Sequence, residues 1–180
     1  IDPVKGFDVL LMALKMLLRR RTDLSDTLCL WIVGGDIGQH MDQWSRELKK
    51  LDQLRKTLNL TAAVKFVAAQ PQEKLPYYYN AADVLVMPSH YESFGMVALE
   101  AIACGTQVIA TDVTGISPIL KELPRGHIVS ANNPIALAGQ IMEVLTNLPQ
   151  ENTVRESMKK FDWITIAGRI AREYERVIRL

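Results

Sequence analysis

The sequence predicts an α/β domain built around a parallel β-sheet that helices cover on both faces. Short runs such as 84–87 and 107–110 are almost continuously apolar, which is typical of strands buried on both faces. These runs alternate with longer segments of helical periodicity, and that alternation favours βαβ units. With 180 residues, of which 48% are hydrophobic, the chain is long enough for one domain with a sizeable core.

In the first half of the chain, apolar residues recur with helical spacing from Phe7 to Leu18 and predict the first helix. The strand that follows stops at Gly34-Gly35. Leucines 48, 51, 54 and 58 lie on one stripe of an amphipathic helix. The elements expected here are helix 7–18, strand 27–33, helix 44–58, strand 64–68, helix 73–81 and strand 83–87.

In the second half, local signals mark where helices begin and end. Gly105 follows a helical pattern and is a usual C-terminal signal. Asn133 is suited to cap a helix whose first position is Pro134. The elements expected here are helix 95–103, strand 107–110, short helix 116–122, strand 127–130 and helices 135–148, 151–160 and 164–180.

Composition excludes several classes of protein. A net charge of +1 provides no global field for nucleic acid or a membrane surface. No apolar run is long enough to cross a bilayer, and no signal peptide is visible. Cys29 and Cys104 lie in apolar segments without CxxC spacing, so we expect reduced core cysteines and a cytoplasmic location. Because the chain starts at Ile1 without an initiator Met, we expect it to be part of a longer protein.

Several loops follow predicted strands and should share one edge of the sheet. In parallel α/β sheets, ligands bind beyond the carboxyl ends of the strands. This rule gathers the candidate functional segments at that edge. The segments are 34–35, 68–69, 90–95 and 111–115.

The segment 88–101 joins a strand end, a polar loop and the start of a helix, and it is the most informative part of the chain. The backbone amides of Gly95, Met96 and Val97 can hold a phosphate, since the first amides of a helix lack intrahelical partners and carry the positive end of its dipole. Glu92 before the helix and Glu100 in its second turn can bind hydroxyl groups at the two ends of such a ligand. A nucleotide-sugar has this layout. The alternative is that Glu92 is a loop carboxylate and Glu100 a solvated helix residue.

Other candidates are less specific. Lys5 precedes the first helix and can meet a phosphate at the same edge, or is an ordinary exposed lysine. The loop 34–38 has GGxxG spacing rather than the GxGxxG of dinucleotide-binding proteins, which argues against NAD. Gly115 either presents a backbone amide to a ligand or is a plain turn glycine.

Histidine spacing and motif searches exclude further chemistry. His40, His90 and His127 share no metal-ligand spacing with each other or with the cysteines, so no metal site is expected. His90 is of interest because it lies two positions from Glu92, although it is equally an ordinary loop residue. The chain contains neither a GxxxxGK[ST] loop nor a GxSxG elbow, which argues against P-loop NTPases and α/β-hydrolases.

Together these residues resemble the donor-binding half of retaining glycosyltransferases of family 4, which have the two-domain GT-B fold. The Glu-x7-Glu motif of that family is met by Glu92 and Glu100. Segment 91–100 looks most like the sucrose-phosphate synthase and inositol-phosphate glycosyltransferase branches, which points to UDP-linked donors. Other stretches similar to the family are 1–7, 30–35, 64–67, 78–83 and 161–163.

The resemblance implies a fold and a set of residue roles. Residues 1–180 would form a Rossmann-like three-layer domain with a parallel sheet, the C-terminal half of a GT-B fold, with the N-terminal acceptor domain absent. Donor binding would need no metal ion. The implied roles are Lys5 for the diphosphate, Glu92 for the transferred sugar, the amides of Gly95, Met96 and Val97 for sugar and phosphate, Glu100 for the ribose, and the backbone of Phe66, Val67 and Ala68 for the base.

The implied function is that of a retaining glycosyltransferase, a hexosyltransferase that moves a sugar from a nucleotide-sugar to an acceptor hydroxyl. The chain alone would be inactive, since the acceptor is bound mainly by the missing domain. A GT-B epimerase or phosphorylase is an alternative, and so is a non-catalytic nucleotide-sugar-binding or regulatory domain. Two departures support the non-catalytic alternative. The family's phosphate-binding Arg falls upstream of Ile1, and 114–118 replaces a Gly-Gly-x-x-Glu segment.

Overall fold

The computed structural model describes residues 1–35, 37, 43–147 and 154–178 and confirms the predicted α/β class. Within these residues the strands form a two-stranded sheet, β1–β2, and a three-stranded sheet, β3–β4–β5, and every pairing is parallel. The strands are β1 Leu30–Val33, β2 Val64–Val67, β3 Val84–Met87, β4 Gln107–Thr111 and β5 Gly126–Val129.

Helices cover both faces of the strands and form the outer layers. Short 3-10 helices, among them Pro3–Lys5 and Gln72–Lys74, complete the connections. The α-helices are α1 Phe7–Arg20, α2 Arg46–Thr57, α3 Leu75–Ala81, α4 Met96–Ala103, α5 Ser117–Leu120, α6 Pro134–Thr146, α7 Val154–Met158 and α8 Trp163–Ile178.

The core sits in two layers because successive side chains of a strand point to opposite faces. On β4, Ile109 packs with α1 and α6, whereas its neighbours Val108 and Ala110 pack with α3, α4, α5 and α7. A further cluster joins α1 and α2 to β1 and β2. All five residues of β4 are buried, so this strand is the centre of the domain.

Some predicted boundaries shift for local reasons. Strand β1 begins at Leu30 rather than residue 27, because the amide of Leu28 still donates to the carbonyl of Leu24 in a helical turn. Cys29 is exposed, so the expectation of two core cysteines was wrong for it, although both cysteines are free. Asn133 caps α6 as predicted, accepting from the amide of Ala136 at 3.0 Å.

Parts of the predicted segments 34–38, 151–160 and 164–180, and His40, lie outside the described residues. The helix at the C-terminal end carries exposed apolar side chains along its length, including Trp163 and Ile178. Among the helices described, none has the length and apolar character needed to cross a bilayer.

Close backbone packing fixes the loop that follows β3. A Cβ atom added to Gly6 would overlap the carbonyl oxygen of Pro88, and one added to Gly115 would overlap the carbonyl oxygens of Glu92 and Ser93. The loop 88–95 is therefore held between the turn that precedes α1 and the turn that precedes α5. Glycine is needed at both places because no side chain fits between the two backbones.

We predict that Gly115→Ala lowers the free energy of unfolding by about 1–3 kcal/mol, the usual cost of overpacking. The matched control is Gly139→Ala in α6, where an added Cβ meets no atom within 4 Å. That change should be neutral or stabilise by up to about 1 kcal/mol, since alanine is favoured in helices. Denaturant unfolding of both variants gives the two values. Equal stability of the two variants would contradict the packing described for the loop.

Candidate functional site

The predicted site lies where β3 ends and α4 begins. Gly95 is the N-cap of α4 with φ of 77° and has no side-chain cap. Within the described part of the chain, the amides of Gly95, Met96 and Val97 find no hydrogen-bond acceptor. The side chains of Met96 and Val97 are exposed. The helix therefore presents three unsatisfied donors and the positive end of its dipole at the carboxyl edge of the sheet.

Glycine at position 95 has a structural reason that the sequence did not reveal. An added Cβ would lie 2.5 Å from Cδ1 of Ile116, so the missing side chain makes room for the segment before α5. The positive φ also turns the loop into the helix, a conformation that favours glycine.

Lys5 and Glu92 form an ion pair across 87 residues of sequence. The Nζ of Lys5 donates to Oε2 of Glu92 at 2.8 Å, and the side chains are 43% and 12% exposed. The amide of His90 donates to the carbonyl of Val4 at 2.8 Å, which ties the N-terminal segment to the loop. Lys5 is therefore not a lone surface lysine. Such a partly exposed pair contributes only about 0–1 kcal/mol to stability, so its significance lies in the charge that it places there.

Glu100 has a partner that the sequence did not reveal. It is half-buried, and its Oε2 accepts a hydrogen bond at 2.8 Å from the hydroxyl of Tyr79 on α3. It is therefore not a freely solvated helix residue. Tyr79 is buried. Its i, i+4 spacing from Leu75, which packs against the same core cluster, is the sequence signal that could have placed it on the inner face of α3. Burial, followed by the hydrogen bond to Glu100, raises the pKa of the Tyr79 phenol above its ordinary value.

Phe66, Val67 and Ala68 lie at the carboxyl end of β2. The ring of Phe66 packs edge-on against Trp44 with centroids 6.0 Å apart, and the Arg55 guanidinium lies 4.9 Å from its centroid. The carbonyl of Val67 accepts from the amide of Gly34 at 2.9 Å. The carbonyl of Ala68 accepts from its near neighbour Gln70 at 3.0 Å. The segment thus reaches the predicted edge next to β1, with its carbonyls at 67 and 68 already engaged.

The turn after β4 packs against the loop. The hydroxyl of Thr111 donates to the carbonyl of Ser89. The hydroxyl of Ser117 donates to Oδ1 of Asp112 at 2.6 Å and lowers the pKa of that carboxyl below its usual value. Gly115 packs on the backbone of Glu92 and Ser93, and among the described residues its own amide has no hydrogen-bond acceptor. Across the described residues, no cluster of three or more His, Cys, Asp or Glu side chains could hold a metal ion.

A separate surface groove of about 400 Å³ lies away from this edge. Tyr77 is one of its exposed walls, and Lys74 is the one charged residue in its lining. The groove contains none of the residues predicted for the site and no carboxylate for hydroxyl groups. The groove is lined by Trp31, Lys74, Tyr77, Tyr78 and Ala81.

Comparison with known proteins matches residues 1–161 to the family described as Glycosyl transferases group 1. The chain is 35% identical to D-inositol 3-phosphate glycosyltransferase 2 of Catenulispora acidiphila over 99% of its own length and 42% of that protein. A similar enzyme of Frankia alni is 37% identical over 81% of the chain and 35% of the enzyme. The chain thus spans less than half the length of these relatives.

Solved structures share the fold. Sucrose-phosphate synthase of Thermosynechococcus elongatus superposes with a TM-score of 0.80 and 33% identity, covering 99% of this chain and 43% of that one. HepE of Anabaena, solved in complex with UDP, gives a TM-score of 0.77 and 25% identity over 97% of this chain and 46% of that one. The predicted resemblance to the sucrose-phosphate synthase and inositol-phosphate branches is confirmed.

The raised pKa of Tyr79 predicts a pH dependence of stability. An unfolded tyrosine loses its proton near the ordinary value of 10.0, whereas folded Tyr79 keeps it, so the stabilisation is complete below that pH and is lost as the pH rises above it. The free energy of unfolding should fall by up to about 1.4 kcal/mol per pH unit there. Denaturant unfolding of the wild type and Tyr79→Phe between pH 9 and 11 should show this decline only in the wild type.

Tyr77→Phe is the matched control, because Tyr77 lies two positions away and is 74% exposed. It should keep the wild-type decline with pH. The slope is compared rather than the absolute stability, so any general cost of the substitution cancels. A decline of equal steepness in Tyr79→Phe would show that this phenol does not carry the pH dependence.

Proposed function

The chain belongs to the Glycosyl transferases group 1 family, and we propose that residues 1–180 are the nucleotide-sugar-binding domain of a retaining glycosyltransferase. The observation that carries this proposal is the Lys5–Glu92 ion pair beside three unsatisfied helix amides, with Glu100 one turn further along α4. The whole protein would act as a hexosyltransferase that moves a sugar from a UDP-linked donor to an acceptor hydroxyl. An N-terminal domain outside this sequence would bind the acceptor.

The diphosphate would lie over the start of α4. The amides of Gly95, Met96 and Val97 would donate to its oxygens, and the Lys5 ammonium would add a full positive charge. As the bond to the sugar breaks, negative charge develops on the departing nucleoside diphosphate. A fixed dipole and a lysine stabilise that charge as it forms, which is the main electrostatic requirement of the reaction. We propose that this set performs the role without a metal ion.

The sugar would contact Glu92. In the free protein its Oε2 is held by Lys5 at 2.8 Å. When the diphosphate arrives, the mobile lysine head can turn toward the phosphate oxygens and free Glu92 to accept from a sugar hydroxyl. Retention of configuration would follow from attack on the same face that the leaving group vacates, and no side chain is assigned as a covalent nucleophile.

The nucleoside would contact two parts of the protein. Glu100 would accept hydrogen bonds from ribose hydroxyls, and the backbone of Phe66, Val67 and Ala68 would border the base. The likeness to sucrose-phosphate synthase and to HepE, which was solved with UDP, supports a uridine nucleotide. The net charge of +1 supports a small-molecule ligand rather than nucleic acid. Free cysteines at 29 and 104 support a reducing, cytoplasmic setting.

A non-catalytic nucleotide-sugar-binding domain is the second candidate. The observation that favours it is the turn 114–118, whose Gly115 is fully packed against the loop and which contains no acid. Such a protein would bind donor but neither transfer nor hydrolyse it. Assays of donor hydrolysis and sugar transfer by the full-length protein separate the two candidates. Identifying the products of the same reactions separates transfer from epimerisation and phosphorolysis.

Calorimetry with UDP, ADP and GDP tests the proposed donor directly. We expect UDP to bind more tightly than the other two nucleotides, since the similar structure of HepE was solved in complex with UDP. Tighter binding of ADP or GDP would overturn the uridine assignment. Absence of binding by all three at millimolar concentration would overturn the donor site itself.

Lys5→Ala should weaken UDP binding by about tenfold to one hundredfold, the range for hydrogen bonds to charged groups. Binding of uridine, which has no phosphate, should not change. Lys50→Ala is the matched control, because Lys50 is an exposed lysine of α2 that pairs with Glu47. An equal loss of affinity for UDP and uridine in Lys5→Ala would mean that Lys5 supports the loop rather than the diphosphate.

A further inference from the structure

Tyr79 makes one hydrogen bond to α4 through its side chain and one to the residue before β4 through its backbone. Its hydroxyl donates to Oε2 of Glu100 at 2.8 Å, and its carbonyl accepts from the hydroxyl of Thr106 at 2.6 Å. Thr106 lies directly before β4, and Glu100 lies in the second turn of α4. The residue is only 7% exposed, so its ring has little freedom to move.

This attachment restricts what Glu100 can do. A free glutamate side chain loses rotamer entropy when it is fixed. Here the hydrogen bond from Tyr79 fixes the carboxylate before any ligand arrives, and it occupies one lone pair of Oε2. Oε1 has no partner among the described side chains and remains the main open acceptor. Such preorganisation increases affinity because less order has to be created on binding.

We propose that Tyr79 is a positioning residue that makes the site select ribonucleotides. By holding Oε2 of Glu100, it directs Oε1 toward the 2′ and 3′ hydroxyls of the bound nucleoside. This inference rests on the proposed role of Glu100 toward the ribose. Tyr79 would thus help to discriminate against nucleotides that lack these hydroxyls without itself touching the nucleotide.

The competing explanation is that the contact only satisfies a buried phenol, since buried hydroxyl groups in proteins nearly always find a partner. In that case the loss of the hydroxyl would lower stability without changing which nucleotide is preferred. The two explanations therefore predict a different effect on the preference between nucleotides, which the affinity for a single nucleotide would not reveal.

The test compares UDP with 2′,3′-dideoxy-UDP by calorimetry in the wild type and in Tyr79→Phe. The wild type should prefer UDP by about tenfold or more, the value of hydrogen bonds to a carboxylate. In Tyr79→Phe this preference should shrink by about threefold to tenfold, the range for one ordinary hydrogen bond. Affinity for the dideoxy nucleotide should stay the same, because it makes no hydroxyl contact.

Two further variants complete the experiment. Tyr77→Phe removes a hydroxyl from the exposed neighbour and should keep the wild-type preference. A p-aminophenylalanine placed at position 79 restores a donor and should recover most of the preference. If Tyr79→Phe does not fold, a p-fluorophenylalanine at the same position, which fills the place of the hydroxyl but cannot donate, serves as the test variant. An unchanged preference in Tyr79→Phe, or an equal loss of affinity for both nucleotides, would overturn the positioning role.

Glu100→Ala separates this proposal from the proposed function. If Glu100→Ala abolishes the preference for UDP and Tyr79→Phe does not, the nucleotide role of Glu100 stands and the role of Tyr79 falls. If the wild type binds UDP and dideoxy-UDP equally, Glu100 does not contact the ribose, so its ribose role and the positioning role of Tyr79 both fall while the UDP-binding site itself stands.

Discussion

The direct contact between backbones at the carboxyl edge of the strands is the constraint on which the site depends. The loop after β3 passes between Gly6 and Gly115 with no room for a Cβ at either position. This packing fixes the position of Glu92, and the backbone hydrogen bond from His90 to Val4 brings Lys5 to it. The loop starts at the carboxyl end of β3, which parallel pairing with β4 holds level with the turn that follows β4.

Charge is arranged on this edge with both signs close together. The ammonium of Lys5 and the free amides at the start of α4 provide positive potential, while Glu92 and Glu100 provide acceptors on either side of it. Both carboxylates have a donor, one from a lysine and one from a tyrosine. The two donors differ in burial, since the Lys5 side chain is partly exposed and Tyr79 is buried.

The sequence predicted the order of helices and strands and placed residues 5, 92 and 95–100 at one edge, because apolar runs and helix-start signals are local. It could not predict contacts that depend on packing between distant segments. The partnership of Tyr79 with Glu100 and the contact of Gly95 with Ile116 are of this kind. The exposure of Cys29 was also missed; this residue lies between the helical turn that ends at Leu28 and the start of β1 at Leu30. The ligand-binding roles remain predictions for every site residue, namely Lys5, Phe66, Val67, Ala68, Glu92, Gly95, Met96, Val97 and Glu100.

Amide chemical shifts of the ¹⁵N-labelled chain, followed while UDP is added, determine whether a nucleoside diphosphate lies on the first amides of α4. We expect the largest shifts at Gly95, Met96 and Val97, with smaller ones near Lys5. Shifts confined to the groove around Trp31 and Tyr77, with the start of α4 unchanged, would contradict this placement.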